Sequence, residues 1–64
     1  MKYFYHDDGR IDIIIDTFNH DVGTIFTRDE EGVPLVPPFF ITSGGVTLYP
    51  SDLKEIAEKI EELS

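Results

Sequence analysis

Two imidazole-carboxylate clusters, His6-Asp7-Asp8 and His20-Asp21, carry the residue types that hold a divalent cation. Neutral imidazole and carboxylate oxygen bind zinc and similar ions when three or four such groups converge on one point. The strand expected between the clusters works against convergence. At about 3.3 Å per residue, some eight residues keep them roughly 25 Å apart. Each cluster would then need Asp12, Asp16 or a second molecule to complete a shell. The structural alternative makes Asp8 a turn residue, pairs Asp7 with Arg10 and leaves both histidines in solvent.

Nucleophilic catalysis needs a nucleophile, a base and an orienting group meeting in a cleft. Ser43, Ser51 and Ser64 lack the G-x-S-x-G elbow, and Ser43-Gly44-Gly45 lacks the further glycines and the lysine of a phosphate-binding loop. The paired carboxylates of glycosidases need a groove for sugar, which a chain of 64 residues scarcely builds. The chain is therefore expected not to be an enzyme and to need no cofactor, with zinc or another divalent cation as the alternative. The remaining chemistry is charge. Glu55, Glu58 and Glu62 recur at i, i+3 and i+7, and Asp29-Glu30-Glu31 adds a second acidic cluster. On a helix such residues form a line with neighbours about 5–6 Å apart. Such a line either imitates phosphates before a basic groove or is an ordinary solvated face.

The elements that must position these groups are legible from periodicity. From Pro50 to Ser64, Leu53, Ile56, Ala57, Ile60 and Leu63 fall within an arc of roughly 120° when each residue advances about 100°. Lys54, Glu55, Glu58, Lys59, Glu61 and Glu62 take the opposite side. Pro50 suits the first helical position, Asp52 favours the positive end of the dipole, and Ser51 is an alternative cap. Glu55 and Lys59 form a favourably oriented i,i+4 pair, whereas Glu61 and Glu62 oppose the dipole.

Upstream, residues 2–6 and 10–18 are aromatic and β-branched, with Asp8-Gly9 between them as a two-residue hairpin signal. Pairing Asp7 with Arg10 places Phe4, Ile11, Ile13 and Ile15 on the helix side and Tyr3, Tyr5, Asp12, Ile14 and Asp16 on the other. A turn over residues 19–23 and a third strand over 24–27 follow, with Phe26 joining the helix side. Residues 28–32 turn again, and Gly32 supplies a positive φ. Pro34, Pro37 and Pro38 confine residues 33–38 to an edge or a crossing segment. Residues 39–42 resume a strand, and Val46-Thr47-Leu48 is a last short strand or a lead into the helix. The fold class is α+β: a single domain over residues 1–64, an antiparallel meander of three or four strands with one C-terminal amphipathic helix packed on one face.

Composition narrows the function classes. Thirteen Asp and Glu stand against five Lys and Arg, a formal charge of −8. Direct nucleic-acid binding relies on Lys and Arg displacing counterions and is disfavoured, as is attraction to anionic membranes. A basic protein partner is favoured, although acidity also serves solubility alone. There is no cysteine to supply a disulfide or a thiolate site. Neither a signal peptide nor a run of about 18 apolar residues is seen, so a soluble, cytoplasmic protein is expected. The run Val33 to Ile41 is dense in apolar residues and proline, and on one reading one helix and one small sheet cannot bury it together with Tyr3, Tyr5, Ile14, Phe18 and Ile25. It is either core with a stiffened edge or an apolar face for a homodimer or a protein target.

In size, acidity and a strand-rich body with one terminal helix, the chain resembles the small phage-encoded inhibitors of bacterial defence, of the anti-CRISPR and anti-restriction type. The resemblance rests on Glu55, Glu58, Glu62 and Asp29-Glu30-Glu31 with the overall composition. It implies a non-enzymatic inhibitor in the host cell cytoplasm, using those six residues to block a basic surface of a nucleic-acid-handling enzyme. Ile11-Asp12-Ile13, followed later by Gly45-Val46-Thr47-Leu48-Tyr49-Pro50 and the helix, is similar to the layout of PC4-like single-stranded-DNA binders. That family's basic groove is missing here.

Overall fold

The computed structural model describes residues 1–15 and 20–64, without the side chains of Ile15 and His20. Expectations placed on Asp16, Phe18, Asn19 and those two side chains lie outside the described residues. Four strands, β1 (Lys2–Tyr5), β2 (Arg10–Ile15), β3 (His20–Arg28) and β4 (Pro34–Thr42), form one antiparallel sheet in chain order. One helix, α1 (Pro50–Leu63), follows. The α+β meander with a terminal helix is therefore the architecture.

The first hairpin differs from the sequence expectation by one residue. Gly9 N–H donates to His6 O at 3.1 Å and His6 N–H to Arg10 O at 2.9 Å, which leaves a three-residue loop. Gly9 takes the positive φ of 92° that such a loop demands. Arg10 is tied to Asp8, not to Asp7, with Nε 2.8 Å from Oδ2. Tyr5 now opposes Ile11, Phe4 opposes Asp12 and Tyr3 opposes Ile13. Because side chains alternate, a one-residue slip exchanges the faces. Tyr3 and Tyr5 therefore share the helix side with Ile11 and Ile13, and Phe4 lies outside, 48% exposed.

The same correction runs through β3. It begins at His20, so Val22, assigned by sequence to a turn, is a strand residue with no exposed surface. A shift in pairing between Ile13 and Ile14 accommodates Val22 and Gly23 against the buried side. Ile25 opposes Ile11 and is fully buried, while Phe26 opposes Arg10 and Phe39 on the outer face. Gly23 is required by close approach: a Cβ there would sit 2.5 Å from Ile41 O and 2.6 Å from the Phe40 ring.

β4 carries all three of Pro34, Pro37 and Pro38 and forms a sheet edge, and its pairing with β3 shifts between Phe26 and Arg28, so residues 33–38 take the edge of the two roles expected and run on into the strand over 39–42. The turn before it closes with Gly32 at a φ of 84°, as its sequence suggests. Val46 and Leu48 form neither a strand nor helix, and pack half-buried against the core. The core is Ile11, Ile13, Val22, Ile25 and Ile56, with no buried polar residue among those described.

α1 starts at Pro50, with Tyr49 as its cap residue and Ser51 inside the first turn. Asp52 Oδ2 accepts the Tyr49 N–H at 3.0 Å, satisfying one donor that the helix start leaves free. Its apolar stripe is rolled relative to expectation. Ile56 is buried and Ile60 and Leu63 are half-buried, whereas Leu53 is 52% exposed and Ala57 lies in solvent. Val46 and Leu48 supply core packing that the stripe alone was expected to provide.

Candidate protein-binding surface

The helix roll decides which polar residues remain outward. Lys59, expected in solvent, turns inward and its side chain is 13% exposed. Its ammonium sits 4.8 Å from the Tyr3 ring centroid and 5.3 Å from that of Tyr5, within cation-π range. The Tyr5 hydroxyl raises the Lys59 pKa above its ordinary value against the opposing effect of burial, with Glu62 adding to the rise. Glu62 Oε1 lies 3.8 Å from Lys59 Nζ. Burial raises the Tyr3 phenol, and the charge of Glu55 adds to that shift.

Glu55, Glu58 and Glu62 are all exposed on α1. Glu58 has no ion pair among the described residues. The second acidic cluster is mixed in role. Asp29 Oδ1 accepts the N–H groups of Glu31 and Val33, each at 2.9 Å, so Asp29 builds its own turn. Glu30 and Glu31 are exposed at that turn. Glu30 also lines a shallow depression of about 290 Å³ with Asp8, Arg10, Phe26, Arg28 and Asp29. The depression lies at the Arg10 end of the sheet.

The candidate metal ligands are distributed as their strand positions dictate. His6 flanks one end of β2 and His20 pairs with Ile15 at the other. Five residue steps place them roughly 17 Å apart, nearer than the sequence spacing suggests but still separate. Asp7 is exposed in the hairpin loop, Asp8 holds Arg10, and Asp21 Oδ1 accepts the Gly23 N–H at 3.0 Å. Among the described residues no three His, Asp or Glu side chains gather around one point.

An arrangement that motif reading missed lies on the outer face. His6 Nε2 and Asp12 Oδ2 are 2.7 Å apart, and the Thr24 hydroxyl donates to Asp12 Oδ1 at 2.8 Å. Hydrogen bonding from His6, then from Thr24, holds the Asp12 carboxyl below its usual range. The only sequence signal was an acid between two isoleucines of a strand, which demands partners on its own face. Thr24 bonds to the carboxylate rather than to the imidazole, so the group is not laid out as nucleophile, base and orienter.

No described helix is long and apolar enough to cross a membrane. Searches of protein-family models, of curated proteins and of solved structures give no significant match to this chain.

Proposed function

We propose that the chain is a non-enzymatic protein-binding inhibitor, of the small phage-encoded anti-CRISPR or anti-restriction kind, that blocks a basic surface of a nucleic-acid-handling enzyme. The observation that carries this reading is the composition of the outward side of α1. Glu55, Glu58 and Glu62 run along it, with Leu53 at 52% and Tyr49 at 65% exposure beside the helix start. Carboxylates there would steer the encounter with a cationic groove, and the apolar groups would supply much of the affinity. Glu30 and Glu31 extend the acidic surface at a second point, while Asp29 contributes chiefly by shaping their turn. Such an inhibitor works in the cytoplasm of the host bacterium.

The test starts with capture of partners from a bacterial lysate and identification of those released by salt. Reversing Glu55, Glu58 and Glu62 to Lys should then weaken binding to the captured enzyme at least tenfold, with the circular dichroism spectrum retained. Unchanged affinity would sink the proposal.

A further inference from the structure

Only one face of the sheet is covered by α1, and the opposite face has a composition unlike the rest of the chain. Its paired rows are Lys2-Ile14-Asp21, Phe4-Asp12-Thr24-Ile41 and Arg10-Phe26-Phe39. Phe4, Phe39 and Ile41 are 48%, 46% and 54% exposed, and Phe26 and Phe39 stack at 5.5 Å. Within these described rows Lys2 and Arg10 balance Asp12 and Asp21, on a chain of charge −8. We infer that the occupant of this face is a second copy of this chain, packed face to face in a two-fold dimer.

Three features favour that occupant. Copies approaching through their acidic helices would bring like charges into contact, whereas rows of balanced charge keep the carboxylates of α1 apart and lower that repulsion. The pattern is also self-complementary. With a two-fold axis along the strands, β1 covers β4 of the second copy and β2 covers its β3. Phe4 then meets Ile41, Asp12 meets Thr24, the Arg10 guanidinium meets Phe26 and Ile14 meets Asp21, so three of these four contacts pair apolar with apolar, acid with hydroxyl or cation with ring. Size permits it as well. β3 and β4 have nine residues each, β2 six and β1 four, a mean length of about 23 Å, in a molecule measuring 33 × 19 × 18 Å. The face therefore projects on the order of 450 Å², which places the dimer at the small end of specific interfaces, below the roughly 800 Å² of accessible surface per partner of the standard size. Two sheets packed about 10 Å apart would bury this row of aromatics between them and leave both helices outward.

Sedimentation equilibrium of the full chain over a concentration series tests the assignment. The expected result is twice the 7.3 kDa chain mass at the upper concentrations. Ile41→Lys, and independently Phe4→Lys on the opposite edge strand, should raise the dissociation constant more than about tenfold, because a symmetric change counts twice. Circular dichroism reports whether each variant is folded. Leu53→Lys, on the helix, should leave the dimer intact. A monomer mass up to about 1 mM overturns the inference. So does a dimer that both sheet-face variants leave unchanged, or one that Leu53→Lys dissolves equally.

Discussion

Ile25 and Phe26 are adjacent in β3 and end in opposite environments. Ile25 is fully buried beneath α1 with Ile11, Ile13 and Val22, while Phe26 stacks on Phe39 on the uncovered face. The two faces do not differ in possessing apolar residues. They differ in how polar residues are mixed among them. The covered face supplies a run of aliphatic side chains with no buried polar group among those described. The outer face interleaves Phe4, Ile14, Phe26, Phe39 and Ile41 with Arg10, Asp12, Asp21 and Thr24. A helix docked there would have to desolvate Asp12 and Arg10, a cost that the inner face does not impose. The polar mixture therefore selects which face becomes core, and it leaves the other suited to an interface in which those groups keep partners.

The largest effect should come from deleting core volume. Ile25→Ala removes a fully buried side chain and should cost about 2–5 kcal/mol, enough to leave a domain this small largely unfolded. Ile41→Ala, on the outer face and measured in urea at a concentration where the chain is monomeric, should cost no more than about 0.5 kcal/mol. Equal losses at the two sites would erase the distinction between the faces.

A smaller loss, about 1–3 kcal/mol, is expected for Gly23→Ala, because the new methyl would press on Ile41 O and the Phe40 ring. Gly44→Ala, in open space, provides the contrast, with little change in the urea midpoint.

The smallest effect belongs to the outer polar network. Asp12 has a folded pKa below its unfolded value of about 3.9, so its stabilisation is present above about pH 4 and fades as pH falls through the folded pKa. Because the His6 and Asp12 side chains are 40% and 31% exposed, solvent screening holds the contribution under about 1 kcal/mol. Acid unfolding of the native chain should be steeper below pH 4 than that of Asp12→Asn. Superimposable curves would show that the network carries no stability.

Several parts of this organisation were legible in the residues themselves. Pro50 and Asp52 marked the start of α1, and three prolines limited residues 33–38 to an edge or a crossing, of which the structure takes the edge and joins it with residues 39–42 into one strand. The exposed acids of α1 followed from helical period. Faces were less accessible. The Asp8-Gly9 signal suits loops of two or three residues, and the choice of three exchanged Phe4 with Tyr3 and Tyr5. The bulge that brought Val22 inward gives no signal in single-residue propensities. Lys59 looked solvated because its charge outweighs its long apolar stem in any periodicity count, yet that stem and two tyrosine rings bury it.

By itself, then, the sequence determined the antiparallel meander with its closing helix and the acidic outer side of that helix, and it narrowed the proline segment to an edge or a crossing, since each follows from interactions within a few residues. The faces of Ile11, Asp12, Ile13 and Ile14 in β2 followed likewise from their alternation. Tertiary structure alone decided the hairpin register, the faces of β1 and β3, the roll of α1 away from Leu53 and Ala57, and the meeting of His6, Asp12 and Thr24. Those outcomes depend on which packing buries most apolar surface while leaving no buried charge without a partner, a competition settled only when the whole sheet and its helix assemble together.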